Sequence, residues 1–188
     1  MTLDRRKFIK TTLAGSAAVA VGGCSSFASA NGKSRDASNN VKLKISFQEG
    51  NAPGENINEK FDFMEAHGVV GFEPHGKPLL ARKQEFKDAL EGRNIKVSAV
   101  CAGFDGFILS TDSEIRKLCR DTMEQLIIAA GEFESTGVII VPAFNRQVPV
   151  MPHTQETRDF LCEQFDEMGT LAQKHRTTVI LGPLNRRE

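Results

Sequence analysis

The segment that decides the fold lies at the end of the sequence and reads Val179-Ile-Leu-Gly-Pro-Leu-Asn-Arg-Arg-Glu188. Its apolar start predicts a short buried strand at residues 177–181. Gly182 and Pro183 then break the strand, and a polar loop follows. In parallel α/β folds, binding and catalytic sites are built on the loops that leave the carboxyl ends of strands. The segment therefore predicts a strand end that borders a functional site.

Strands and helices alternate along the sequence upstream of this segment. Short apolar runs or period-two alternation predict strands, and apolar residues at helical spacing predict helices. The predicted strands are residues 41–47, 69–73, 95–102, 137–141 and 177–181, and the predicted helices are residues 57–67, 81–91, 113–133 and 155–175. Regular alternation of this kind is typical of a parallel sheet.

Two architectures fit this alternation, an open doubly wound sheet and a (β/α)8 barrel. The first βα loop, residues 48–54, has no G-x-G-x-x-G, so a dinucleotide-binding sheet loses support. A barrel usually needs about 250 residues. Interpreted as a barrel, residues 41–188 hold five strands, which makes an incomplete (β/α)8-type domain of about five βα units.

Capping signals mark several helix ends. Asn56 with Glu59 three residues later predicts a capping box, and Thr154 predicts a cap for the last helix. His67 and His175 fall near helix C-termini, where a histidine is expected to complement the helix dipole.

Residues 1–30 have the features of an export signal. Arg5 and Arg6 lie in a twin-arginine pattern, Asp4-Arg5-Arg6-Lys7-Phe8-Ile9-Lys10, and an apolar run at residues 11–23 follows. That run is too short and too rich in Ala and Gly for a good membrane span. The signal predicts an exported protein, periplasmic or anchored to a bacterial membrane as a lipoprotein.

Two processing sites remain open in this segment. Val21-Gly22-Gly23-Cys24 resembles a lipobox, which predicts lipidation of Cys24 and membrane attachment. Ala28-Ser29-Ala30 resembles an ordinary signal peptidase site. Residues 31–40 then predict a flexible tether.

Composition excludes one class of partner. The sequence has 24 Lys+Arg and 24 Asp+Glu, so it has no basic excess with which to bind nucleic acid. It has no Trp or Tyr, so a sugar-stacking surface would depend on its 13 Phe. Three cysteines of the predicted domain, Cys101, Cys119 and Cys162, lack CxxC spacing and lie in apolar contexts, which predicts buried free thiols.

The terminal segment resembles the L-E-P-L-N-R-x-E motif of the xylose-isomerase-like TIM barrels, a family of sugar phosphate isomerases, epimerases and hydroxypyruvate isomerase-like proteins. Val70-Gly71-Phe72-Glu73 is similar to the family's second-strand ending. The resemblance implies a barrel fold, a small carbohydrate substrate and a divalent metal cofactor, Mn²⁺, Mg²⁺, Co²⁺ or Zn²⁺. A homo-oligomer is a further expected assembly.

Gly182 departs from the family motif at its first glutamate. In the family that glutamate ligates the metal and takes part in proton transfer next to a carbonyl, and glycine can do neither. The family's other ligands come from strands that do not occur in this sequence. We therefore predict that the chain as given binds no metal and has no isomerase activity. The alternatives are a non-catalytic exported carbohydrate-binding module and a truncated pseudoenzyme.

Four residues are predicted to contact the substrate. Glu188 matches the substrate-side glutamate of the motif, and Glu73, His75 and Phe104 follow predicted strand ends. The alternatives are that Glu73 pairs with a basic neighbour, that His75 is a solvated loop residue, and that Phe104 packs on the rim of the barrel. Glu49, Asp105 and Phe107 are weaker candidates of the same kind.

Overall fold

The computed structural model describes residues 43–183. The predictions for residues 1–42, including the twin-arginine signal, Cys24 and the tether, lie outside the described residues, as does Glu188. None of the helices described between residues 43 and 183 is long and apolar enough to cross a membrane.

Strands and helices alternate as the sequence predicts. The strands are β1 (Ser46–Gln48), β2 (Gly71–Glu73), β3 (Lys96–Val97), β4 (Val100–Cys101), β5 (Val138–Ile140) and β6 (Val179–Leu181). The α-helices are α1 (Ile57–Ala66), α2 (Gly76–Ala81), α3 (Lys83–Leu90), α4 (Ser113–Glu132) and α5 (Gln155–Lys174), and a 3-10 turn, Glu49–Asn51, follows β1.

All strand pairs are parallel and follow the order of the chain. β1, β2 and β3 form one sheet, and β4, β5 and β6 form a second. Ser98 joins them, because its N–H donates to Phe72 O at 2.8 Å and its carbonyl accepts from Thr136 N–H at 3.0 Å. Since parallel crossovers are right-handed, an order without reversal places every helix on one side. This arrangement is the wall of a TIM-type barrel, because the strand order of a doubly wound sheet would reverse along the chain.

The wall has an outer face covered by helices and an inner face. Phe72 points outward, with its ring centroid 4.9 Å from Phe61 and 5.4 Å from Phe86. Val138 and Ile140 are fully buried on the same face, under α4. Alternate residues therefore point inward, and the register places Gln48 beside Glu73 on the inner face.

The predicted helix caps are confirmed, with one change. Asn56 Oδ1 accepts from Glu59 N–H at 3.1 Å, but the Glu59 carboxylate accepts from Glu55 N–H and from the side-chain Nδ2 of Asn56, both at 2.8 Å, in place of the backbone N–H of Asn56. Thr154 caps α5 by accepting from Thr157 N–H at 3.3 Å. His67 and His175 are the C-cap residues of α1 and α5.

The predicted strand at residues 95–102 is two strands, β3 and β4. Val97 and Val100 are both buried against the helices although they are three residues apart, and a regular strand would place them on opposite faces. An extra residue at Ser98-Ala99, as in a β-bulge, lets the Val97 and Val100 side chains point to the same face. As a result Cys101, paired with Ile139, lies on the inner face.

Two other sequence predictions need correction. The helix predicted at residues 81–91 is two helices, α2 and α3, which meet at Arg82. Helical structure begins earlier than predicted, at Gly76, because Pro78 lies in the first turn of α2, where its missing N–H is tolerated. Cys162 is exposed on α5, so the prediction of three buried thiols is wrong for it, whereas Cys119 is buried and Cys101 is partly buried.

Candidate functional site

The carboxyl ends of β1, β2 and β4 bring three polar side chains together on the inner face. Gln48 Nε2 donates to Glu73 Oε1 at 2.7 Å and lies 3.4 Å from Cys101 Sγ. All three side chains are partly buried. We call these residues the strand-end cluster. It lies on the side of the wall where barrel enzymes place their sites.

The cluster holds a carboxylate next to a neutral thiol. Burial raises the pKa of Cys101, and the charge and hydrogen bond of Glu73 raise it further. The thiol therefore stays protonated at neutral pH and can donate to Glu73. The sequence left open that Glu73 pairs with a basic neighbour. Among residues 43–183 its hydrogen-bond partners are instead the amide of Gln48 and the thiol of Cys101. Its remaining lone pairs can accept hydroxyl groups of a ligand.

Glu49, one residue after β1, belongs to an ion-pair group. Arg82 Nη1 lies 2.6 Å from Glu49 Oε1, and Arg82 Nη2 lies 2.8 Å from Glu85 Oε1. Arg82 also lies 4.6 Å from the ring centroid of Phe86. Hydrogen bonds to Glu85 and then to Glu49 raise the pKa of Arg82, so the guanidinium is permanently charged. This group ties the loop after β1 to the junction of α2 and α3.

The other predicted contact residues lie on neighbouring loops. His75 is exposed at the N-cap of α2, makes no capping bond through its side chain, and forms a backbone bridge with Cys101. Phe104 is partly buried and packs on the hydrophobic core, and Phe107 is buried. Asp105 forms an ion pair with Lys77. The structure thus brings Glu73 together with Gln48 and Cys101, which the sequence analysis did not select.

Gly182 follows β6 on the inner face. Its N–H donates to Ile140 O at 2.9 Å, and its φ lies outside the left-handed region, so the backbone does not require glycine there. A Cβ at this position would lie 3.1 Å from Ile139 Cγ2 and 3.3 Å from Val141 Cγ2. A larger side chain would therefore need shifts of a few tenths of an ångström in both neighbours.

The strand ends between residues 43 and 183 do not fit a divalent metal. No three His, Cys, Asp or Glu side chains in this part of the chain are placed to hold one ion. Glu73 is bonded to Gln48, Cys101 is protonated, and Gly182 has no side chain. Divalent cations need several oxygen, nitrogen or thiolate donors around one point.

The fold and its strand-end cluster define a TIM-barrel scaffold with a polar site at the carboxyl ends of its strands. The family model described as xylose isomerase-like TIM barrel matches residues 61–188, and the chain belongs to that family.

Individual relatives in this family include sugar epimerases. The chain is 30% identical over 138 residues to the 3-dehydro-D-guloside 4-epimerase of Escherichia coli, covering 70% of this chain and 53% of the relative. The crystal structure of the apo 3-keto-D-glucoside 4-epimerase from E. coli is 28% identical, with a TM-score of 0.66, over 77% of this chain and 57% of that one. The chain thus spans about half the length of these relatives.

A more distant likeness concerns the fold alone. The IOLI protein, solved with a bound zinc atom, is 16% identical with a TM-score of 0.58, over 74% of this chain and 51% of that one. The fold is thus shared with a protein solved with a bound zinc atom, whereas the donor set described above differs from what a metal requires.

Proposed function

We propose that this chain carries a binding site of the sugar isomerase and epimerase type, with a small keto sugar as its ligand. The observation that carries the proposal is the strand-end cluster. A carboxylate held by Gln48 and Cys101 on the inner face offers its free lone pairs to sugar hydroxyls. The names of the two E. coli relatives support a keto sugar or its glycoside as the ligand class.

The second part of the proposal is that this chain binds the sugar without turning it over. Epimerisation next to a carbonyl needs a base that removes the proton from the reacting carbon, and it needs stabilisation of the enediolate. In the xylose-isomerase-like family a divalent metal supplies that stabilisation. Gly182 offers neither a base nor a ligand, and the strand ends described here do not fit a metal. The chain would then act as a non-catalytic carbohydrate-binding module.

Binding and turnover can be separated in one set of measurements. The full chain is titrated with ketoses and 3-keto-D-glucosides by calorimetry, and product formation is followed by NMR with added Mn²⁺. We expect binding that Glu73→Gln weakens about tenfold, because a charged acceptor becomes a neutral amide. The matched control is Glu91→Gln, an exposed residue at the end of α3.

Each result bears on a different part of the proposal. Turnover by the purified chain would show that the proposed lack of activity is wrong and that a residue other than Gly182 acts as the catalytic base. An absence of binding across the sugars would overturn the carbohydrate site itself. Equal losses in Glu73→Gln and Glu91→Gln would remove Glu73 from the site.

We further propose that the chain is exported and attached to the membrane. The supporting residues are the twin arginines, Arg5 and Arg6, and the lipobox-like Cys24. Arg5→Lys with Arg6→Lys should retain the protein in the cytoplasm of a bacterial host. Cys24→Ala should release an exported protein from the membrane fraction, and a Cys24→Ala protein that still sediments with membranes would contradict lipidation.

A further inference from the structure

A cavity lies at the carboxyl ends of β5 and β6. It has a volume of about 520 Å³ and is formed by the loop after β5 together with the end of β6. The residues that shape its walls and floor are Leu109, Phe144, Val148, Val150, Leu181 and Gly182. The volume falls in the range of small-molecule pockets.

The cavity concentrates exposed apolar surface. Phe144 is 40% exposed and Val148 79%. These are two of the six large hydrophobic side chains that are exposed between residues 43 and 183. A cluster of this kind around a concavity is typical of a binding surface, whereas single exposed apolar residues need no explanation.

Backbone hydrogen bonds hold the wall of this cavity in place. Phe144 N–H donates to Gln147 Oε1 at 2.8 Å, and Gln147 N–H donates back to Phe144 O at 3.0 Å. Met151 N–H donates to Leu109 O at 2.8 Å, and Leu109 N–H donates to Pro142 O at 3.2 Å. The apolar side chains are therefore presented by an ordered loop, and a ligand would bind without first ordering it.

The charges of the cavity restrict its ligand. Among residues 43–183, none of the lining residues is Asp, Glu, Lys or Arg, so this part of the chain gives the cavity no cation with which to hold a phosphate. The polar side chains of the described lining are Asn145, Gln147 and His153. The surface matches an uncharged apolar or aromatic group.

The position of the cavity connects it with the strand-end cluster. Glu73 ends β2 and Gly182 follows β6, so three strand spacings of about 4.8 Å, roughly 14 Å along the wall, separate them. A single sugar ring does not reach that far, whereas a glycoside with an aromatic substituent does. Gly182, which lines the cavity, adds no side chain to it.

We propose that this cavity binds the apolar aglycone of a glycoside whose sugar occupies the strand-end cluster. The inference rests on the proposed carbohydrate site and extends it, because it assigns the substrate class as glycosides with an apolar or aromatic aglycone.

Two glycosides that share a sugar test the inference. Methyl and 4-nitrophenyl 3-keto-D-glucosides of both anomers are titrated into the full chain, with 4-nitrophenol as the isolated aglycone. The 4-nitrophenyl glucoside should bind at least about tenfold more tightly than the methyl glucoside, because the ring removes apolar surface from water. Phe144→Ala or Val148→Ser should reduce that preference to about threefold or less. Leu118→Ser, a matched change of an exposed apolar residue on α4, should preserve it.

The outcomes separate this inference from the proposed function. Equal binding of the two glucosides overturns the aglycone cavity and leaves the sugar site standing. A preference that survives Phe144→Ala and Val148→Ser places the ring elsewhere and also overturns it. If neither glucoside binds, both proposals are wrong. If 4-nitrophenol binds as tightly as its glucoside and Glu73→Gln changes neither, the cavity stands and the sugar site is wrong.

Self-association provides the remaining check. If wild-type protein is dimeric in sedimentation velocity and Phe144→Ala makes it monomeric, the cavity is a contact between two copies of the chain. That result would overturn the proposal.

Discussion

At the scale of single residues, the thiols report on the environment of the strand-end cluster. Burial raises the pKa of Cys101 and Glu73 raises it further, whereas burial alone raises the pKa of Cys119 to about 12. Cys162 is exposed on α5. We expect alkylation by iodoacetamide at about pH 8 in the order Cys162, Cys101, Cys119, because the thiolate is the reacting form and access limits the rate. Peptide mapping by mass spectrometry measures the three rates.

Glu73→Gln is the informative variant in this experiment. Removing the carboxylate charge should lower the pKa of Cys101 and raise its alkylation rate about threefold. Cys162 provides an internal control, since it lies on α5, whereas Cys101 and Glu73 lie on strands. An unchanged rate at Cys101 in Glu73→Gln would mean that the carboxylate does not act on the thiol.

Two glycines should respond in opposite directions to the same substitution. A Cβ on Gly76 would lie 2.3 Å from Ala102 O and 2.8 Å from Leu126 Cδ1, whereas a Cβ on Gly169 would meet no atom within 4 Å. Gly76→Ala should therefore lower the free energy of unfolding by about 2 kcal/mol or more. Gly169→Ala, in the middle of α5, should raise it by up to about 1 kcal/mol.

Urea unfolding followed by circular dichroism compares the two glycine variants. The comparison tests the close approach of the loop after β4 to the start of α2. If Gly76→Ala proved as stable as the wild type, that approach would be looser than the structure shows.

At the scale of elements, ion pairs connect α3 and α4. Lys83 Nζ and Lys87 Nζ lie 3.0 Å and 2.8 Å from the carboxylate of Glu132. Lys87 and then Lys83 lower the pKa of Glu132 below its ordinary value of 4.5. Since the folded pKa is the lower one, this stabilisation is present above the unfolded pKa and is lost as the pH falls through the folded pKa.

Glu132→Gln should lower the free energy of unfolding by an amount that depends on pH. At pH 7 we expect the variant to lose no more than about 1 kcal/mol of unfolding free energy, because all three side chains are about one-third exposed and screened by water. The difference from the wild type should be smaller at pH 3 than at pH 7, because protonation of Glu132 removes its charge. Urea unfolding at both pH values measures it, with Glu124→Gln, exposed on the same helix, as the control. A loss that persists undiminished at low pH would indicate packing and not charge.

Local chemistry made some elements predictable and left others unpredictable. The caps at Asn56 and Thr154 were predictable because each bond joins residues three apart. The bulge at Ser98 was not, because the apolar run at residues 95–102 is equally compatible with a regular strand. That bulge is why Cys101 points inward and why the sequence analysis missed it. Gln48 could have been found, since its register opposite Glu73 follows from strand alternation.

At the scale of the whole molecule, the sequence pattern left a barrel and a doubly wound sheet open. The choice depends on the order of strands across the sheet, a set of long-range contacts that alternation does not encode. The observed order has no reversal, and it follows the sequence from β1 to β6. The same order places Glu73, Cys101 and Gly182 at one edge of the wall, which is why residues far apart in sequence form neighbouring parts of one candidate site.

The two outermost described strands predict how copies of the chain associate. Between residues 43 and 183, β1 and β6 each pair with one strand only. Leu43 and Ile45, just before β1, are 86% and 51% exposed. Unpaired apolar edges favour pairing with another chain. We expect concentration-dependent self-association in which β1 of one copy pairs with β6 of another.

Because such a contact uses both edges, a change at β1 alone tests it. Ile45→Lys should reduce the self-association measured by sedimentation velocity, since a lysine on an edge strand opposes pairing with another strand. Leu118→Lys changes a similarly exposed leucine on α4, away from either edge, and should leave self-association unchanged. A wild-type chain that stays monomeric at every concentration, or an Ile45→Lys chain that associates like the wild type, would show that the β1 edge is protected, and the surface for any oligomer would then lie elsewhere.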